Sequence, residues 1–213
     1  MKILNNLPIN LDINEVLKLL QKPTSSKSPS EDLLSQINDL IIIAKSLISP
    51  IAIYNIFPSN ELKPSHVFKL SENTIFAICS ISSNLEEEIT KLLKIGELSK
   101  AIILDAIASH AAEVVAEKVN EIIITENKAL FENKQYTKRF SPGYCKWTLQ
   151  EGQKLIFDLL PANKIGITLS DSMMMIPRKS ISFAINIGKI IDKNLGVREC
   201  ISCELENCSY RRI

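Results

Sequence analysis

The chain has 213 residues, 46% of them hydrophobic and 23% charged, with 25 basic and 24 acidic side chains and a formal net charge of +1. That balance fits a soluble globular protein of one large domain or of one domain with a small appendage, and no polybasic face is implied, so nucleic acid is not the expected partner. No run of about 18 apolar residues exists to form a membrane span, and the opening MKILNNLPINLDINE breaks up its apolar residues before a secretory signal could form. The expectation is a cytoplasmic protein with reduced thiols.

In chain order, residues 1–8 read as a short strand and turn, and 12–21 as a helix with Ile13, Val16, Leu17 and Leu20 on one face. The Pro/Ser-rich stretch 22–30 reads as an exposed loop ending in Ser30, an N-cap for a second helix over 31–48. Residues 51–57, 66–70 and 74–81 are β-branched and aromatic and read as strands. Asn84 can cap the helix that follows it. A long helix runs from Leu98 to Ile123, and its many alanines imply close packing against a neighbour. Residues 126–145 are polar and turn-rich, and 149–160 read as a helix. The stretch ITLSDSMMMIP then reads as a strand, with a turn at Pro177 and a last strand in SISFAINIG.

Helices and strands are mixed without a regular βαβ beat, and no GxGxxG follows a strand. The expected class is therefore α+β, with a mixed, mostly antiparallel twisted sheet and flanking helices. Residues 1–194 are expected to form one domain and 195–213 a Cys-rich C-terminal tail.

The stretch with most chemistry is KRFSPGYCKW (138–147). Arg139 offers a planar fork for a carboxylate or phosphate. Pro142-Gly143 permits a tight turn whose N–H groups could meet a ligand, and Tyr144 adds a flat face and a hydroxyl. An ordinary turn with an Arg on its rim is the plainer reading.

These residues resemble a known family. R-x-x-P-G-Y, a helix, then LSDSMMMIPRKSIS (169–182), all after the long helix segment AIASHAAEVVAEKVNEI (106–122), is similar to the activation domain of cobalamin-dependent methionine synthase. The likeness spans residues 74–190 and is nearest to short, free-standing members with a cysteine-rich tail. It implies binding of S-adenosylmethionine, with Arg139 on the methionine carboxylate and the backbone of Ser141, Gly143 and Tyr144 on the ligand's polar edges. It places Glu113 near the sulfonium. Asn133 stands where the large enzyme has a second acidic residue, with Glu132 beside it. The implied role is an activation subunit that presents the methyl donor for reductive methylation of cobalamin. The implied partners are a cobalamin-binding methyltransferase or corrinoid protein and an electron donor of flavodoxin or ferredoxin type. The DxHxxG motif of cobalamin-binding domains is absent, so cobalamin is expected only through a partner.

The tail CISCELENCSYRR places Cys200, Cys203 and Cys208 at C-x2-C-x4-C spacing, with Cys145 as candidate fourth ligand for zinc or an iron–sulfur cluster. Unliganded thiols are the plainer alternative. Cys79 and the run Met173–Met175 read as strand residues in the core. Ser180 and Ser182 are strand serines within reach of a ligand role, and no metal-site neighbours support His66 or His110. Two other functions stay open: a Cys-cluster redox or accessory protein for corrinoid metabolism, and a sensor or assembly module without chemistry.

Overall fold

In a computed structural model that describes residues 1–20, 29–63, 65–144, 147–192 and 195, the chain forms an antiparallel five-stranded sheet. The strands are β1 (Lys2–Asn5), β2 (Ile51–Pro58), β3 (Asn73–Ser80), β4 (Gln135–Tyr136) and β7 (Ser180–Gly188), in the order β1-β2-β3-β7-β4. Two further strands, β5 (Thr168–Leu169) and β6 (Met175–Ile176), form a separate small hairpin. The helices are α1 (Ile13–Leu20), α2 (Glu31–Leu47), α3 (Asn84–Lys94), α4 (Leu98–Glu126), α5 (Lys128–Phe131) and α6 (Leu149–Leu159). The α+β expectation holds, and every strand pair described is antiparallel.

Strand alternation splits the core in two. On β3, Ile75, Ala77 and Cys79 face one cluster while Phe76 and Ile78 face the other. On β7, Phe183, Ile185 and Ile187 join the first and Ala184 the second. The first cluster is covered by α1, α2, α3 and α4, and the second by α6 and short 3-10 turns. Both faces are dry, so β3 reads as a continuous apolar run rather than alternating in and out. Ala101, Ala106, Ala108, Ala111, Ala112 and Ala116 are buried along α4, as close approach of a helix to a sheet demands.

Local chemistry sets the helix ends. Ser30 caps α2 by accepting from the Leu33 amide at 3.2 Å, and Thr148 caps α6 by accepting from Glu151 at 3.2 Å. Asp12 stands before α1 and accepts from the Asn14 amide at 2.8 Å.

Three expectations change. Residues 66–70 are not a strand: His66–Phe68 form a 3-10 turn whose Val67 carbonyl accepts from buried Asn186, while Phe68 packs edge-on against Trp147 and Phe76. Its β-branched and aromatic residues serve packing instead of a ladder, a common override of strand propensity. The residue before α3 is Ser83, with Asn84 already helical and donating to the Leu47 carbonyl at 3.3 Å. The methionine run is not a core strand. Met173 has φ +62°, Met174 is 52% exposed, and only Met175 packs, partly buried, on the second cluster. The loop 22–28 and the tail beyond Leu195 lie outside the described residues.

Candidate functional site

Arg139 owes its position to the alternation of the edge segment it sits on. Thr137 and Phe140 continue β4 along β7, with the Thr137 amide donating to Asn186 and the Phe140 amide to Ala184, each at 3.0 Å. Phe140 turns into the α6-side cluster, so its neighbour Arg139 turns the other way, toward α4. There its guanidinium lies 5.9 Å from the centroid of the Phe183 ring. Its Nη2 donates to Glu113 Oε2 at 2.5 Å and its Nε to Glu117 Oε2 at 3.2 Å. The side chain is 8% exposed, against 35% for Glu113 and 56% for Glu117. Burial opposes the guanidinium's charge, but Glu113 and Glu117 more than offset this and hold it above its ordinary pKa.

Glu113 and Glu117 belong to a stripe on α4. Asp105, Ser109, Glu113 and Glu117 recur at four-residue steps and so share one helix face. Lys179, at the head of β7, meets the other end of it: its Nζ lies 2.8 Å from Asp105 Oδ1 and 2.8 Å from Ser109 Oγ. Glu86 on α3 accepts from the Lys179 amide at 2.6 Å.

The bend after Arg139 is fixed from inside. Gly143 has φ +91°, a conformation that favours glycine. Its amide donates to the Trp147 carbonyl at 2.8 Å, and the Tyr144 amide to Ser141 at 3.2 Å. The expectation that these N–H groups face a ligand is therefore corrected: both are used within the bend. What the bend presents outward is its exposed backbone at Gly143 and the side chain of Tyr144, which is 56% exposed. Trp147 anchors it, packed against Phe68, Phe76 and Phe140. A Cβ on Gly152 of α6 would stand 2.6 Å from Pro142 Cβ and 2.8 Å from Trp147 Cε2, which explains a glycine inside a helix.

The structure thus brings Arg139 and Glu113 into contact, and the bend of Ser141, Gly143 and Tyr144 follows in the chain, packed through Pro142 and Trp147 against Gly152 of α6. Glu117 and Lys179 carry no motif of their own in the sequence; for Glu117 the one signal is its four-residue step from Glu113. Ser180 and Ser182 are buried and bonded internally, Ser180 Oγ donating to the Pro177 carbonyl at 2.6 Å and Ser182 Oγ to Gln153 Oε1 at 3.0 Å. Cys79 is buried, and burial pushes its thiol up to about 12, so it is a core residue and no ligand. Cys145, Cys200, Cys203 and Cys208 lie outside the described residues. Among the described residues no group of three or more His, Cys, Asp or Glu is arranged to hold a metal ion. No helix among them is long and apolar enough to cross a membrane. Two grooves of ≈ 540 and ≈ 530 Å³ open around Lys63, Ser65 and His66, and neither is lined by Arg139, Glu113 or the bend residues 141–144.

Residues 67–189, more than half of the chain, match the family model described as "Vitamin B12 dependent methionine synthase, activation domain". Among solved structures the chain is similar to the MetH reactivation domain bound to AdoHcy, with a TM-score of 0.57 and 16% sequence identity. That match covers 73% of this chain and 64% of the other. At that identity the likeness is one of fold. No curated protein matches the chain.

Proposed function

This chain belongs to the activation-domain family of vitamin B12-dependent methionine synthase, and from that premise we propose that it binds S-adenosylmethionine at Arg139, Glu113 and the 141–144 bend on behalf of a cobalamin-bearing partner. The observation that carries this reading is the contact between Arg139 and Glu113 beside the bend. A nearly buried planar cation and two carboxylates match a ligand that has a carboxylate, an ammonium and a sulfonium on one short chain. The AdoHcy bound in the similar solved structure supports that ligand class.

Arg139 would take the ligand's carboxylate, and Glu113 would offset the cationic groups as they leave water. The backbone of Ser141, Gly143 and Tyr144 would bound the ligand's polar edge. Bound there, S-adenosylmethionine would supply a methyl group, its sulfonium leaving as the thioether of S-adenosylhomocysteine, to a partner's corrinoid cobalt that one electron from a flavodoxin- or ferredoxin-type donor would first bring from cob(II) to cob(I). This chain's contribution is positioning, which alone can carry a large share of a transfer barrier. It need not supply an acid, base or nucleophile of its own. Cys145, Cys200, Cys203 and Cys208 are proposed to hold zinc or an iron–sulfur cluster, on their spacing alone; zinc, iron and sulfide content of the pure protein tests that.

The test of function is methyl transfer. A cobalamin-binding methyltransferase without an activation domain, in its oxidised cob(II)alamin form, is mixed with reductant and methyl-labelled S-adenosylmethionine. Label should reach cobalamin only when this chain is added. Equal labelling with and without it would contradict the proposal.

A further inference from the structure

α4 holds Arg139 at two of its three nitrogens. Nε donates to Glu117 from the side edge of the fork, and Nη2, which the side and end edges share, donates to Glu113. No hydrogen bond from Nη1 reaches the described residues. Phe183 covers one face of the group. The end edge, which holds Nη1, is the one left to meet a planar carboxylate. Glu117 is itself held, since its other oxygen accepts from Asn120 Nδ2 at 3.3 Å. Asn120, Glu117 and Arg139 therefore form a line of contacts from α4 to the edge segment.

We propose that Glu117 is a positioning residue for the ligand's carboxylate: it pins the side edge of Arg139 to α4 so that the end edge is set to receive that carboxylate. The proposal rests on the S-adenosylmethionine reading above and deepens it. Glu117 does not touch the ligand. Its effect should fall on the amino-acid end, because it reaches the ligand through Arg139. Glu113 cannot report this cleanly, since it contacts Arg139 and also stands for the ligand's cationic groups.

The experiment compares two ligands that share an adenosine and differ in the amino-acid chain: S-adenosylmethionine and 5′-methylthioadenosine, which has no carboxylate. Wild type, Glu117→Ala and Glu117→Gln are titrated with each by calorimetry, with competition at high concentration for the weaker ligand. Ala should weaken S-adenosylmethionine on the order of 5-fold, the scale of one half-exposed charge contact, and leave methylthioadenosine unchanged. Gln, which keeps an acceptor for Nε, should recover most of the loss. An equal loss for both ligands, or no loss for S-adenosylmethionine, would overturn the assignment of Glu117. A wild type that binds no S-adenosylmethionine would instead sink the function reading itself, and the positioning role with it.

Discussion

Lys179 and Asp105 form an ion pair, Nζ to Oδ1 at 2.8 Å, two helical turns before the point on α4 where Glu113 meets Arg139. One acidic stripe of one helix thereby meets two cations from different places in the chain. Lys179 follows the β5–β6 hairpin, and Arg139 precedes the Pro142-Gly143 bend. Both sequence segments that carry the family resemblance are tied to the same helix face.

Lys179 fastens the start of β7. Its side chain is 16% exposed and meets both Asp105 and Ser109. Replacing Lys179 with Met should lower stability by about 1–2 kcal/mol, the scale of a lost charge-assisted hydrogen bond. Urea unfolding should show a lower midpoint with an unchanged slope.

Gly152 is held to glycine by the ring and bend above it. A methyl there would stand under 3.0 Å from Pro142 and Trp147, both buried, so neither side can yield cheaply. Gly152→Ala should destabilise by about 1–3 kcal/mol, as overpacking does. Because the displaced groups are the bend itself, affinity for S-adenosylmethionine should fall as well. Urea unfolding together with a ligand titration of the variant checks both effects.

His110 gives stability a pH dependence. Its Nε2 accepts from the Asp12 amide at 3.1 Å, which requires the neutral ring at that nitrogen. Burial pushes its pKa below the ordinary value, outweighing the pull of Glu15, Asp12 and Glu113 toward the charged form. The unfolded chain then binds more protons than the folded one just below the ordinary histidine pKa of about 6.5. The contribution is fully present above that pH and is lost as pH falls toward the lower folded value. His110→Gln should remove this component: the stability gap between wild type and variant should narrow from pH 7.5 to 5.5, measured by urea unfolding at each pH.

Much of this was legible in the sequence because it rests on local rules. Apolar spacing locates α1 and α4, Ser30 marks the start of α2, and PGY marks the bend. Residues 66–70 were misread because β-branched and aromatic residues suit a buried turn as well as a strand, and only the partner decides. The methionines were misread because the left-handed φ at Met173 bends them out of register, and no glycine announces it. Arg139 was found through its motif, but its two carboxylates come from 26 and 22 residues earlier in the chain. Such a contact follows from the edge segment's register on β7, which composition does not encode.

The most direct measurement is calorimetric titration of S-adenosylmethionine into the wild-type protein and into Arg139→Ala, with circular dichroism to show that the variant keeps its fold. Saturable one-to-one binding by wild type and its loss in the folded variant is the outcome expected from a guanidinium that receives the carboxylate. Equal affinity in the two proteins would contradict it.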